Sequence, residues 1–365
     1  MADDLTGALD TAAEFVPLTG PVRTFWQTGN IPPQHANAAF DTGTREWTAE
    51  AARRAVTALA PALAGADIAY KKVDSLLRGP TVAELATCFS AGDWHYGVFA
   101  PAFPYHGRVT REGRQHTRLA DGNWEAVSGH LVAALQAEGV AAQVAEPGAA
   151  LRPGITLFDA ETDADMAVAV AAGMAAPAPV LWCGSGGLAH ALATRHAGPA
   201  PAMPPLRGRV LGLFGSDQAI TAAQLAACDP HWLELPDGGA AAQVADRLSR
   251  TGVALVSFAL PPGLARDAAA ARIGAEMERL VADMDPPGSL IVAGGETLRS
   301  LCVSLGATSL DVQGRYVPGL PRSILRGGRW DGVDVISKSG AFGHPGLLRD
   351  LLQVPGEALV SERIV

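Results

Sequence analysis

The chain has no apolar run long enough to cross a membrane, no C-x-x-C pair and no H-E-x-x-H motif. A helical span needs about 20 consecutive apolar residues, so no membrane partner is expected. The four cysteines, Cys88, Cys183, Cys228 and Cys302, lie far apart. A zinc site or dithiol redox motif is therefore not expected, and buried free thiols in a cytoplasmic protein are the default. The histidines show no metal-ligand spacing either, so no protein-held metal is assigned. Positive charge is short: 28 Lys and Arg face 37 Asp and Glu, a net charge of −9. That argues against a nucleic-acid partner, which needs a clustered basic face. The start, Met1-Ala2-Asp3-Asp4, has neither the basic nor the apolar segment of a signal peptide. Neither G-x-x-x-x-G-K-[ST] nor G-x-G-x-x-G occurs at the glycine-bearing turns, which excludes a Walker-type loop and disfavours the usual dinucleotide fold.

What is present is a long, apolar chain. At 365 residues and 48% hydrophobic it has enough for two cores. Residues 197–208 carry four prolines and read as a stiff linker. We place a first domain over residues 1–200 and a second over 207–365. In both, short apolar runs alternate with helical patterns, the mark of α/β domains with largely parallel sheets. In the first domain 22–27 is a short apolar run, and strands are expected within 36–45, ending in Asp41, Thr42 and Arg45, and at 67–70, 96–100, 155–159 and 180–183. In the second they are expected at 210–214, 253–258, 290–293 and 333–336. A helix is expected from Glu50 to Leu63, and another at 268–284. The acids from Glu161 to Asp165 read as a helix start, where negative charge is favoured, and not as ligands.

The organising stretch is Tyr70-Lys-Lys-Val-Asp-Ser-Leu-Leu-Arg-Gly79. It reads as a strand end running into a loop, with a helical pattern after Pro80. Ligands of open α/β sheets bind outside the carboxyl ends of the strands. A turn with both signs of charge suits a small, hydroxylated, anionic substrate; a solvated, ion-paired loop is the competing reading. Asp3 and Asp4 precede an Ala-rich helix and can cap it or hold a hydroxyl. Only Met1 and Ala2 stand before them, so the strand expected there is missing. Arg45 lies at another strand end, where a guanidinium can clamp a carboxylate. Pro101 and Pro104 stiffen a loop in which His106 and Arg108 either face a ligand or serve structure.

Glycine-bearing strand-to-helix turns recur. Gly184-Ser-Gly-Gly187 is one, able to hold an anion on backbone N–H groups or to be a tight turn only. Three more lie in the second domain: Gly215-Ser216, Gly294-Gly295-Glu296-Thr297, and Ser339-Gly340 through Gly343. Several such turns can converge on a triphosphate, and Lys338 can add a point charge.

Taken together, Ala2-Asp-Asp-Leu-Thr-Gly-Ala-Leu-Asp-Thr11, Lys71 to Gly79, Pro101-Ala-Phe-Pro104 with Gly107-Arg108, Gly294 to Thr297 and Lys338 to Gly343 resemble the four-carbon acid sugar kinase family. The resemblance covers nearly the whole chain in order. It implies an N-terminal substrate domain and a C-terminal nucleotide domain, with the active site in the cleft between them. It implies phosphorylation of threonate, erythronate or a 3-oxo-tetronate at the terminal hydroxyl, with ATP and Mg²⁺. By motif, Asp3, Arg45, Lys72 and Arg78 would bind the acid. Asp4 or Asp74 would be the base, and the sequence does not choose. Ser216, Gly294, Gly295, Glu296, Thr297, Gly340 and Gly343 would hold the nucleotide. The chain departs from the family in the short start, in Gln218 where a second serine is usual, and in Leu298 and Arg299 where small residues are usual. Two other classes stay open: a sugar-acid binder that has lost catalysis, which the missing strand would favour, and another α/β enzyme of small hydroxy acids. Large α/β enzymes often form symmetric dimers, so a homodimer is compatible with the sequence.

Overall fold

The computed structural model describes residues 1–26, 37–92, 94–196, 202–215, 218–261 and 263–353. Ser216 lies outside the described residues. The chain forms two compact units. Among the described residues no helix is long and apolar enough to cross a membrane.

Through the first half the strands are β1 (Val22–Phe25), β2 (Ala38–Phe40), β3 (Ala69–Lys72), β4 (Tyr96–Ala100), β5 (Arg108–Arg111), β6 (Arg114–Arg118), β7 (Trp124–Ala126), β8 (Ala142–Val144), β9 (Gly154–Leu157) and β10 (Val180–Gly184). The first unit is built on a sheet of order β3-β10-β4-β9-β8, parallel throughout. Its central strands are buried end to end, as expected of parallel strands covered on both faces. Trp182, Val98 and Tyr70 pack with Met166, Val170 and Leu188 in one core. The strands β5, β6 and β7 form a separate antiparallel meander, which the sequence reading missed.

The strand expected to be missing at the start is present as two residues. Met1 N donates to Tyr70 O at 2.9 Å and Lys72 N donates to Met1 O at 2.8 Å. Ala2 pairs in parallel with Asp41, through Ala2 N to Phe40 O and Thr42 N to Ala2 O. The helix Leu5–Thr19 follows directly. Further along, Thr162 and Asp165 form a reciprocal cap on the helix Asp163–Met174, so these acids do start a helix.

β3 runs two residues further than expected, which puts Lys71 and Lys72 inside a buried strand. Lys71 Nζ meets Glu84 Oε2 at 2.6 Å, with both side chains 1% exposed. Burial opposes the charge on Lys71, but Glu84 and Asp3 more than offset it and raise its proton affinity. Thr44 Oγ1 donates to the other oxygen of Glu84, and Thr42 and Thr44 share a 2.6 Å hydrogen bond. Thr42 Oγ1 also lies 3.0 Å from Ala2 O. The buried pair therefore holds the 41–45 turn from beneath.

The second half adds β11 (Val210–Phe214), β12 (Trp232–Leu235), β13 (Val253–Phe258), β14 (Ser289–Ala293), β15 (Ser309–Arg315), β16 (Pro321–Arg326) and β17 (Asp334–Lys338). The second sheet has the order β12-β13-β11-β14-β17-β16-β15-β1-β2. From β12 to β17 it is parallel; β16, β15 and β1 pair antiparallel. β1 thus belongs to the second unit, although it precedes most of the first in sequence. Arg23 on β1 and Arg326 on β16 both bond Asp311 on β15, at 2.5 and 2.6 Å. Both units are α/β with largely parallel sheets, as the alternation of runs implied.

Removing one partner of a buried ion pair leaves the other charge uncompensated, at a cost of about 3–5 kcal/mol. Glu84→Ala is expected to lose that much in urea unfolding, and the apolar double variant Lys71→Met with Glu84→Leu to recover most of it. A loss under about 1 kcal/mol for Glu84→Ala would contradict the role given to the pair.

Candidate functional site

The strand ends of the first unit gather its charged residues. Asp3 and Asp4 follow the Met1–Ala2 stub, Arg45 follows Asp41, and Asp74 follows β3 by two residues. Arg45 is the hub. Its Nε and Nη2 donate to both oxygens of Asp3, at 2.8 and 3.0 Å. Its Nη1 donates to Asp4 Oδ2, and Nη2 lies 3.7 Å from Asp74 Oδ1. The two-bond clamp expected of Arg45 is thus made on a protein carboxylate. Asp74 also accepts from Arg78 Nε at 2.7 Å and Nη2 at 2.8 Å, and from the backbone N–H groups of Leu76 and Arg78.

The backbone permits this crowding at Gly79. Its φ is +78°, and a Cβ there would sit 2.4 Å from Arg45 O. No side chain fits without moving the Arg45 backbone.

The three carboxylates are not equivalent. Burial alone would raise Asp3, but the bidentate Arg45 outweighs it and holds the acid below its ordinary value. Burial would also raise Asp74, but Arg78 and Arg45 hold it far below the usual range. Asp4 goes the other way. Burial raises it, the neighbouring Asp3 charge adds to that, and one Arg45 nitrogen with the Gly7 N–H does not offset the two. Asp4 is also the most exposed of the three, with 19% of its side chain open against 5% and 8%. Gly7 N donates to Asp4 Oδ1 at 2.8 Å, so Asp4 caps the first helix as well. The capping reading holds for this residue, and the same carboxylate lies in the charged cluster.

Lys72 is buried, and its Nζ donates to Val73 O at 2.7 Å. His106 is lowered to about 4 by burial and then by the charges of Arg108 and Lys72, so it is neutral near pH 7. Sequence reasoning missed Gln115, fully buried on β6. Its Nε2 donates to Ser75 O at 2.8 Å and to Pro101 O at 3.2 Å, and its Oε1 accepts from Thr110. One amide thus ties the Asp74 turn to the Pro101 loop. A lone Gln between Arg114 and His116 carried no signal for that.

The Gly184-Ser-Gly-Gly187 turn is committed to packing. Ser185 is buried; its Oγ donates to Ala102 O at 2.6 Å, and its carbonyl accepts from Tyr70 OH.

In the second unit, adjacent parallel strands β11, β14 and β17 end in register: Phe214 pairs with Ala293, and Ala293 with Lys338. The three glycine turns therefore emerge side by side. The chain order reverses between β11 and β14, the switch point where open sheets bind ligands. Gly294 has φ +106°, and its N–H donates to Lys338 O at 2.9 Å. A Cβ on Gly215 would lie 2.3 Å from Thr297 Oγ1, so that turn fits closely over the Gly294–Thr297 turn. Thr221 Oγ1 donates to Gly340 O, and Gln224 Nε2 to Phe342 O and His344 O, which fixes the Gly340–Gly343 loop. Lys338 is buried, and its Nζ reaches Thr221 Oγ1 and Gly340 O, each at 3.3 Å. No carboxylate among the described residues pairs with it, and burial lowers it to about 8.

Residues 1–120 match the model of a sugar-binding N-terminal domain, and residues 211–348 that of a nucleotide-binding C-terminal domain. A D-threonate kinase of Cupriavidus necator is 32% identical over 95% of this chain and 95% of its own. One of Bordetella bronchiseptica is 30% identical, also over 95% of each chain. Two solved structures share the fold. A putative tRNA synthase from Salmonella typhimurium LT2 has a TM-score of 0.75 at 22% identity, covering 96% of this chain and 98% of that one. The Haemophilus influenzae protein HI1011 has a TM-score of 0.70 at 19% identity, with the same coverage. With both domain models matched in order and relatives similar along nearly its full length, this chain belongs to the four-carbon acid sugar kinase family.

Proposed function

We propose that the protein is an ATP-dependent kinase of a four-carbon sugar acid, D-threonate or a close relative such as erythronate or a 3-oxo-tetronate, and phosphorylates the terminal hydroxyl. The observation that carries this reading is the Asp3-Asp4-Arg45-Asp74 cluster, in a chain similar over its full length to D-threonate kinases. The alternative of a binder without catalysis leaned on a missing first strand, and Met1 and Ala2 make that strand's pairing.

Phosphoryl transfer asks a protein mainly for positioning and charge stabilisation. Asp3, Arg45, Lys72 and Arg78 frame the acid's pocket. Between the two candidate bases the contacts favour Asp4. Asp74 is held by two guanidinium groups and two backbone N–H groups, which leaves it a poor proton acceptor. Asp4 is the better one, because its proton affinity is raised and its carboxylate is the most open. It orients the attacking hydroxyl and takes its proton. Asp74 and Arg78 fix the geometry around it.

The nucleotide lies on the turns after β11, β14 and β17, with backbone N–H groups of Gly295, Glu296, Thr297, Gly340 and Gly343 toward its phosphates, Gly294 shaping its turn and Lys338 as a point charge. Ser216 belongs to the same proposal by its motif. Among the described residues no group of three or more His, Cys, Asp or Glu is suited to hold a metal alone. Magnesium would supply neutralisation of the phosphate charge, and would come with the nucleotide.

The direct test is ADP release with a panel of four-carbon acids. Acid-dependent turnover supports the reading; equal ADP release with and without every acid refutes it. Asp4→Asn should lose about 10²–10⁴-fold in kcat and little acid affinity. Asp74→Asn and Arg78→Ala should each lose most activity with unchanged circular dichroism. In the wild type the rate should rise with pH through a value above the ordinary 3.8 of aspartate, because Asp4 works only when deprotonated.

Lys338 adds a proton signature. In the free protein it is protonated below about 8 and neutral above. A bound polyanion restores its ordinary affinity, so nucleotide binding near pH 9 should take up a proton, and binding near pH 6.5 should not. Calorimetry in two buffers of different ionisation enthalpy reads this directly. Equal heats at pH 9, or uptake that survives Lys338→Met, would contradict the assignment.

A further inference from the structure

The charges around the acid pocket are unevenly matched. Three aspartates, Asp3, Asp4 and Asp74, absorb two guanidinium groups. Arg45 has every nitrogen on an aspartate, and Arg78 directs both Nε and Nη2 at Asp74. A substrate carboxylate would therefore have to share either guanidinium with a protein acid that already holds its Nε edge. Lys72 lies within the fields of the same three aspartates.

Arg108 is different. Among the described residues no carboxylate lies within ion-pair distance of it. Its Nη1 donates only to the carbonyls of its own loop, His106 O and Gly107 O. Its Nε is buried and has no partner among the described residues. A buried cationic N–H left without an acceptor is costly and calls for an explanation, of which a ligand acceptor is one. The residue is also held in place. Its backbone N–H and carbonyl both pair with Phe103, and Pro101 and Pro104 stiffen the loop. Gln115 ties Pro101 O to Ser75 O, which brings this loop beside the Asp74 turn. The charges of Asp74 and Arg78 both act on the Arg108 guanidinium.

Resting on the kinase reading above, we propose that Arg108 is the residue that receives the carboxylate of the acid substrate. It is thereby the specificity determinant between a sugar acid and the neutral polyol of the same length. Arg45 and Arg78 then act through the aspartates they hold, while hydroxyls of the substrate meet those aspartates. An arginine suits this task because its planar fork matches a carboxylate.

The test is calorimetric titration of the full chain, wild type, Arg108→Met and Arg108→Lys, with four-carbon acids alone, with threitol alone and with ATP-magnesium alone. Thermal melts check that each variant folds. Arg108→Met should weaken the tightest-binding acid by about 10- to 100-fold, the loss expected for a charged hydrogen bond. Threitol and ATP should bind it as they bind the wild type, and Arg108→Lys should recover part of the acid affinity. Acid affinity within about threefold of wild type overturns the proposal. So does an equal loss for threitol, which means general damage, or a loss for ATP instead, which assigns Arg108 to phosphate. The two readings separate cleanly. Acid binding that depends on Arg108 without any acid-dependent ADP release sinks the kinase reading and leaves this one standing. Turnover by Arg108→Met with an unchanged KM sinks this one alone.

Discussion

Three aspartates cannot stay ionised side by side in a buried place unless a cation is fixed among them, and Arg45 is that cation. Asp3, Asp4 and Asp74 come from two separate strand ends, and their oxygens meet on one guanidinium. The cluster's chemistry follows from how that guanidinium divides its nitrogens. Asp3 receives two and is held ionised. Asp74 receives a weaker contact but has Arg78 entirely. Asp4 receives one and keeps a raised proton affinity. The asymmetry follows from burial and from how the guanidinium is shared, and it leaves one of three like residues with the higher proton affinity. Beneath it, the Lys71–Glu84 pair and the two threonines hold the turn that delivers Arg45, so the first unit places a polar scaffold under its polar site.

The second unit solves a simpler problem. Parallel strands in register bring their following turns to one edge, and three of these turns carry glycine. Each turn alone is common. Their value lies in adjacency across β11, β14 and β17, and in a buried lysine at the end of β17 without a carboxylate partner among the described residues. A lysine kept in that state has a proton affinity low enough to respond strongly to a polyanion.

Much of this was legible in the residues. Runs such as Leu290-Ile-Val-Ala293 and Val210 to Phe214 are buried on both faces and read as parallel strands without help. The acid pair, Arg45, and the Lys72–Arg78 block announced themselves by crowding charge at strand ends. What stayed hidden depended on partners far apart in sequence. Lys71 sits next to Lys72 and looks like it, yet only the fold sets Glu84 against one and not the other. Ala2 and Met1 are too few to show a strand pattern, and their pairing exists only because Tyr70, Lys72 and Phe40 present free backbone groups. The meander from Arg108 to Ala126 is polar and exposed on much of its length, so it lacks the apolar alternation that marks a strand. The choice between Asp4 and Asp74 could not be read from composition, since it turns on how many donors each carboxylate receives.

The central claim, that one guanidinium divides three aspartates into two fixed anions and one proton acceptor, is open to a single spectroscopic measurement. Carbon-13 NMR titration of the aspartate side-chain carboxyls, assigned with Asp4→Asn and Asp74→Asn, follows each acid separately. The account predicts that Asp4 titrates above the ordinary value of 3.8 and that Asp74 stays ionised well below it. The reverse order, or two acids titrating together near the ordinary value, would contradict it.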